Sequence, residues 1–415
     1  MRIAYFTGTY PRATDTFIQR EVMGLRHLGL EVVTVSVRRP GDENIVGPEQ
    51  ASERAQTRYL LPFNLVLLVA AHLKLLFGHP GRYLAGLKLA WQTSQPGLKG
   101  FLYQVIYFLE AGLLADLMAT QNITHLHNHI ASSSCTVAML AAELGGFTFS
   151  FTMHGPHIFF EPYRWRVDEK IKRAKFVVCI SHFCRSQGMI FSRPEQWDKL
   201  RIVHCGVDPS LFETVTHDGL GKRLLYVGRL AAEKGLPVLL ESLVDLVASE
   251  PELILTVVGD GADRALLEQQ VSDLGLQSHV RFLGYQSQSA VRDHLKNTDV
   301  FVLPSFAEGI PVVLMEAMAA GVAVVATQVA GVSELVLSGV NGYVVSPGDR
   351  SALTECLHFL IKDADTRNRL GGLAREKVEQ DFNAPIEVKK LYQLFTEQTD
   401  AGAEAAVEAD ASVAT

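Results

Sequence analysis

Short β-rich runs alternate with helical periods along this chain, and the alternation occurs twice. The first series opens with Ile3–Thr7, a Gly8-Thr9-Tyr10-Pro11 loop, a helix over Asp15–Leu28 and a second strand over Glu31–Val37. Further strands are expected over Ile123–His127, Thr148–Met153 and Phe176–Ile180. The second series opens with Leu224–Gly228 and a helix over Leu236–Leu246. A strand over Leu253–Val258 follows and ends in Gly259-Asp260-Gly261, and the alternation continues at Val280–Phe282, Val300–Leu303, Ala323–Ala326 and Gly342–Val345. Such alternation predicts mostly parallel sheets covered by helices on both faces. The expected fold is therefore α/β, with two Rossmann-like domains over 1–208 and 218–383 facing a central cleft. The link runs through Cys205-Gly206-Val207-Asp208-Pro209 and Thr216–Gly221. A length of 415 residues suits two cores. In open sheets of this kind, ligands bind beyond the carboxyl ends of the strands.

The flanking segments read differently. Ile386–Phe395, within 384–398, is expected to form a helix that packs back on the first domain. The stretch 399–415 is rich in Ala, Glu and Asp without apolar periodicity and is expected to be disordered. The opening Met1–Phe6 reads as a strand, because Gly8 and Pro11 interrupt it before a signal-peptide core forms. Five cysteines, an odd number with no C-x-x-C pair, read as reduced thiols of a cytoplasmic protein. A net charge of −7 and no long basic run argue against a nucleic-acid partner.

Arg54–Leu109 contains no acidic residue but holds Arg54, Arg58, Lys74, Arg82, Lys88 and Lys99 among many leucines and phenylalanines. Its apolar run Leu65–Phe77 is broken by His72 and Lys74 and is shorter than the ~20 residues a bilayer requires. Two readings stand: insertion helices packed on the first domain, or a segment lying on an anionic membrane surface at the inner face of the cell membrane.

The strongest chemical signal is Pro304-Ser305-Phe306-Ala307-Glu308-Gly309-Ile310-Pro311, followed by a helix carrying Glu316. Proline suits the start of a helix, where backbone N–H groups are open to an anion or to hydroxyls. Glu308 and Glu316, eight positions apart, are able to grip separate parts of one long ligand, and carboxylates accept well from sugar hydroxyls. Gly228, at the end of a strand, precedes Arg229 and Lys234 on one loop. Two cations beside helix-start N–H groups suit a diphosphate and the charge it gains on leaving. His154 follows a strand on the ligand side of the first sheet, and Gly8 sits on a loop at the same side. His125, His127 and His129 share one strand face. Their spacing matches no common zinc motif and no Cys, Asp or Glu nearby completes a set, so no metal is assigned. Asp363-Ala364-Asp365 reads as a helix cap. Gly259-Asp260-Gly261 lacks the third glycine of a dinucleotide fingerprint, and no cofactor is expected.

Together these residues resemble family 4 glycosyltransferases, retaining enzymes of the GT-B fold. The resemblance rests on Val227-Gly228-Arg229-Leu230 with Lys234, Val258-Gly259-Asp260-Gly261, Phe282-Leu283-Gly284, Glu308 and Glu316, and Gly331-Val332-Ser333-Glu334. In the first half, Thr14-Asp15-Thr16-Phe17-Ile18 with Glu21, and His127-Asn128-His129-Ile130-Ala131, are similar to a branch that builds exopolysaccharide or colanic-acid-like repeat units on a lipid carrier. This chain has Asp15 where that branch often has Glu, and Ile130 where it has Phe. The resemblance implies a nucleoside diphosphate sugar as donor, UDP-sugar first and GDP-mannose next, and a saccharide or lipid-linked saccharide as acceptor. It places Arg229 and Lys234 on the diphosphate, Glu316 on the ribose, Glu308 at the donor sugar, His154 beside the sugar and β-phosphate, and Gly8 where the first-domain loop nears the diphosphate. An epimerase or phosphorylase on the same scaffold, or a non-catalytic saccharide-binding subunit, are the alternatives.

Overall fold

The computed structural model describes residues 1–12 and 15–396. Thr14 of the branch motif and the 399–415 tail lie outside the described residues. The chain divides into two compact units. One comprises Met1–Cys179, Arg185–Val203 and the chain from Ala384 on; the other comprises Ile180–Cys184 and His204–Asn383.

The first unit holds a seven-stranded parallel sheet of order β3-β2-β1-β4-β5-β6-β7. Its strands are β1 (Arg2–Thr9), β2 (Glu31–Arg38), β3 (Arg58–Tyr59), β4 (His125–His129), β5 (Thr148–Met153), β6 (Val177–Cys179) and β7 (Leu200–Ile202). The order reverses between β1 and β4, and the carboxyl ends of those two strands frame the place where an open sheet takes its ligand. Gly8 and Thr9 belong to β1 rather than to a loop, because Thr9 is still in register with Arg38 of β2. A Cβ at Gly8 would meet nothing within 4 Å, so packing within this unit does not demand glycine there. β4 begins at His125, two residues later than the apolar pattern indicates. Ile123 N–H returns to Met118 O and Asn122 takes a φ of 54°, so these residues still close the preceding helix. β3 and β7 are edge strands of two and three residues, too short to carry a period.

The core of this unit is completed from far along the chain. Val388, Leu391 and Phe395 of a helix over 384–396 pack among Ile3, Tyr5, Ile18, Val22, Leu25 and Phe176. The approach is close: a Cβ at Gly24 would lie 2.8 Å from the Val388 side chain.

Three helices lie between β3 and β4: Leu65–Gly78, Pro80–Thr93 and Leu98–Thr120. Asn64 caps the first by accepting from Val66 and Leu67 N–H, and Pro80 starts the second, where its missing donor costs nothing. Leu68, Ala71 and Leu75 face inward. Val66, Phe77, Leu84, Trp91 and Leu98 remain more than 60% exposed. Leu98–Thr120 is long and apolar enough to cross a membrane, yet 44% of its most apolar window is buried against the rest of the unit.

The second unit is a six-stranded parallel sheet of order β10-β9-β8-β11-β12-β13. Its strands are β8 (Arg223–Val227), β9 (Ile254–Val258), β10 (Val280–Phe282), β11 (Val300–Leu303), β12 (Ala323–Thr327) and β13 (Tyr343–Val345). Every residue of β11 and β12 is buried, which explains their unbroken apolar sequences. The order reverses between β8 and β11. Asp363 caps the helix Ala364–Asp381 by accepting from Thr366 N–H at 2.9 Å, as its sequence position indicates.

The loops beyond β8 and β9 touch backbone to backbone. Gly259 has a φ of +125°, and a Cβ there would lie 1.9 Å from Gly228 O. Gly259→Ala therefore meets both a strained dihedral and a clash with main chain that cannot rotate away. It is expected to destabilise the second unit by about 3 kcal/mol or more, read as a lowered denaturant midpoint; an unchanged midpoint would refute the constraint.

Candidate active site

In the second unit, the two loops at the sheet's reversal point carry most of the residues singled out from sequence. The loop after β8 runs from Gly228 through the short helical turn Ala232–Lys234 to Gly235, which takes a φ of +64° and turns the chain into the helix Leu236–Ser249. The loop after β11 runs to Pro311, the cap of the helix Val312–Ala319. Phe306 N–H donates to Glu233 O at 2.8 Å, which ties one loop to the other. Thr327 at the end of β12 donates its hydroxyl to Ser305 O.

Lys234 and Glu308 meet across these loops. Lys234 Nζ lies 2.6 Å from Glu308 Oε1, and Ser305 Oγ donates to the same oxygen at 2.6 Å. Only 8% of the Glu308 side chain and 19% of that of Lys234 are exposed. Lys234 thus neutralises a largely buried carboxylate at the mouth of the loops. Arg229 stays 58% exposed and pairs with Glu233 on its own loop. Tyr226, buried in β8, donates its hydroxyl to Arg229 O at 3.2 Å and braces the loop. Glu316 lies on the second turn of the helix Val312–Ala319, buried at 3% exposure. This end of the sheet offers two cations, three carboxylates (Glu233, Glu308 and Glu316) and the start of a helix. That combination is able to bind a phosphate group and hydroxyl donors together.

In the first unit, β4 and β5 form a polar ladder. His125 Nδ1 and Nε2 lie 2.8 Å from Thr148 Oγ1 and Ser150 Oγ, and His127 Nδ1 and Nε2 lie 2.8 Å from Ser150 Oγ and Thr152 Oγ1. His154, just beyond β5, is buried at 8% exposure, and its Nε2 is 3.1 Å from His129 Nδ1. His129 Nε2 in turn lies 3.0 Å from Glu21 Oε2, although its N–H direction is off the line to that oxygen. Burial holds His125 near a pKa of about 3 and pushes His127 and His154 well below the usual histidine value, so these rings are neutral at pH 7.

Glu21 corrects one inference from sequence. Carried on the helix Thr16–His27, it brings a carboxylate within 4.8 Å of ligand atoms of His127 and His129, so an acidic partner does join the histidines. The spacing of the histidines alone gave no sign of it, since the helix reaches them through the fold. Both nitrogens of His127 already face hydroxyls, however, and Tyr5 Oη donates to Glu21 Oε2 at 3.2 Å. The donor set fits a hydrogen-bonded chain better than a cation shell. Ser305, Thr327 and Tyr226 also support the site. Of these, Ser305 and Tyr226 stand in motifs that sequence alone draws attention to, and Thr327 does not.

Two parallel-sheet α/β units with these loops define a glycosyltransferase of the GT-B class. The model of group 1 glycosyl transferases matches residues 209–377, and that of glycosyltransferase family 4 matches residues 16–211. Among solved structures, sucrose-phosphate synthase from Thermosynechococcus elongatus superposes with a TM-score of 0.75 at 18% identity, covering 97% of this chain and all of that one. Anabaena HepE, solved in complex with UDP-glucose, superposes at 0.72 and 17% identity, covering 96% of this chain and all of that one. The chain belongs to the family 4 glycosyltransferases and is an enzyme of that family. The amylovoran biosynthesis glycosyltransferase AmsK of Erwinia amylovora is 27% identical over 95% of this chain and 99% of its own length. The putative colanic acid biosynthesis glycosyltransferase WcaL of Salmonella typhimurium is 27% identical with the same coverage.

Proposed function

We propose that this enzyme moves a hexosyl unit from a nucleoside diphosphate sugar, with retention of anomeric configuration, to a hydroxyl of a lipid-linked saccharide during exopolysaccharide assembly. The observation that carries the reading is the Lys234–Glu308 pair at 2.6 Å, formed by two loops at the reversal point of the second sheet, with Arg229 on the same rim. The names of AmsK and WcaL point to surface polysaccharides, and the HepE complex points to UDP-glucose as the kind of donor. UDP-sugar is the first choice and GDP-mannose the second.

In this reading Arg229 and Lys234 hold the diphosphate, Glu316 the ribose, Glu308 the donor sugar, and His154 lies beside the sugar and β-phosphate. The acceptor oxygen bonds to the anomeric carbon on the face the diphosphate leaves, while the bond from that carbon to the β-phosphate oxygen breaks. The acceptor proton passes to the departing phosphate. The two cations match the charge that builds on that phosphate. The three helices between β3 and β4 rest on a membrane: their exposed apolar side chains, with exposed Lys88 and Lys99 and no acidic residue from 54 to 109, suit an anionic lipid surface.

A thermal-shift series tests the donor assignment. Ligand present at 100 times its Kd stabilises the folded state by about 2.7 kcal/mol, so UDP is expected to raise Tm by several degrees, GDP and ADP by less, and Arg229→Ala to lose most of the UDP shift. If no nucleoside diphosphate raises Tm and no sugar nucleotide is turned over, the reading is wrong.

A further inference from the structure

Glu110 lies on the helix Leu98–Thr120 and is 3% exposed. Among the described residues no hydrogen bond or ion pair reaches its carboxyl group. Burial pushes its pKa up to about 7, against the pull of the Arg38 guanidinium. Buried polar groups normally have partners, so an orphan carboxyl calls for a reason.

Its surroundings supply one. Tyr103, Tyr107 and Glu110 are spaced i, i+4 and i+7 and share one face of the helix. The two phenol rings stack, with centroids 6.3 Å apart and planes 21° from parallel. Tyr103 is exposed and Tyr107 half-buried, so the stack shows ring surface to solvent. Burial and then the Glu110 charge raise the Tyr107 pKa, while Arg164 and Arg38 draw it down, so these groups gather at one place. Arg38 is exposed at the carboxyl end of β2, the ligand edge of the first sheet, and makes no ion pair among the described residues. Arg164 sits on the segment that follows His154. Gln95 Nε2 donates to Arg164 O at 2.7 Å and Arg166 Nη1 donates to Gln92 O at 2.7 Å, which ties that segment to the end of the helix Pro80–Thr93.

A phosphate suits the guanidinium but is repelled by the carboxylate beside it. A neutral ligand rich in hydroxyls suits both, because its hydroxyls donate to one and accept from the other. Aromatic faces then cover its C–H side. We infer that Tyr103, Tyr107, Glu110 and Arg38 form a saccharide subsite for the acceptor, with a pyranose ring on the tyrosine stack and its hydroxyls shared between Glu110 and Arg38. None of the residues assigned to the donor belongs to it. Leu98, Phe101 and Leu102 are exposed on the same helix, so a lipid tail leaving the sugar finds apolar surface beside it. Saccharide binding rests on these four residues alone; the acceptor role rests on the glycosyl-transfer reading.

Saturation-transfer NMR on the full chain tests this with the methyl and octyl glycosides of glucose, galactose and mannose, the octyl compounds kept below their micelle concentrations. Wild type is expected to transfer saturation to ring protons of at least one sugar. Glu110→Gln is expected to weaken the apparent Kd about tenfold, the scale of a hydrogen bond to a charged group. Tyr107→Ala is expected to weaken it several-fold and Tyr107→Phe to keep it. The rise in Tm with UDP is expected to survive in all three. A variant that loses that rise has lost its fold, and Tyr103→Ala, at an exposed position, then decides the matter by the same several-fold loss. Transfer to no ring proton, transfer confined to octyl chains, or equal affinity in wild type, Glu110→Gln and Tyr103→Ala overturns the subsite. With an octyl glycoside that serves as acceptor, Glu110→Gln is expected to raise acceptor KM about tenfold and leave donor KM within twofold; a rise in donor KM alone overturns the acceptor role. Absence of turnover with any sugar nucleotide by the wild-type enzyme would instead sink the glycosyl-transfer reading and leave the ring-proton contacts to stand.

Discussion

Replacing Lys234 by methionine is expected to lower kcat/KM for the sugar-nucleotide donor by about 10²–10³-fold, the usual cost of removing one donor that meets charge developing in a transition state. The ammonium sits 2.6 Å from Glu308 at the mouth of the loops, so the substitution has two consequences. It removes a positive charge from the departing diphosphate, and it strands a carboxylate whose side chain is only 8% exposed. The second effect alone destabilises the fold, because a buried charge without its partner is costly; the 19% exposure of Lys234 lets water offset part of that. The double variant Lys234→Met/Glu308→Gln separates them. Its denaturant midpoint is expected to return toward wild type, because the stranded charge is gone, while turnover stays low. Wild-type kcat/KM in Lys234→Met, measured as nucleoside diphosphate released at subsaturating donor, would remove the lysine from the mechanism.

The second large effect concerns the helices Leu65–Gly78 and Pro80–Thr93. Phe77 and Trp91 are 78% and 74% exposed, and Trp91 rests edge-on against Phe101 of the next helix. Burying a large apolar side chain is worth about 1.5–3 kcal/mol, so changing both to glutamate is expected to weaken partitioning onto anionic vesicles by 10²-fold or more, read by co-sedimentation. Lys88 and Lys99 add attraction of about 1 kcal/mol each near an anionic surface, so binding by the wild-type chain is expected to fall as salt rises. Because both side chains project into solvent, Tm is expected to stay within a few degrees of wild type. A wild-type chain that ignores anionic vesicles at low salt, or a double variant that binds them as well, would leave these helices as packing elements alone.

The sequence makes the strands legible wherever burial is complete. Val300–Leu303 and Ala323–Thr327 are covered on both faces, and their apolar runs say so. β3 and β7 pair through two and three residues at the sheet edges, where neither periodicity nor composition has room to act. At the site, the residue types were legible but their partners were not. Lys234 and Glu308 are 74 positions apart and meet because β8 and β11 are neighbours in the sheet, which local pattern does not encode. Glu21, on the helix Thr16–His27, reaches Tyr5 of β1 and His129 of β4 in the same manner, through the fold. The insertion stayed ambiguous for a different reason: an apolar helix packed on protein and one resting on lipid share a composition, and only the direction of each side chain tells them apart.

The helix over 384–396 has a consequence for how the protein comes into being. Phe395 covers the rings of Tyr5, His125, His127 and Phe176. A ribosome synthesises the first sheet early but supplies this cover only after the whole second unit has been translated. The nascent amino-terminal half therefore waits with its aromatic and imidazole interior open to water, while the unit made after it is able to close first.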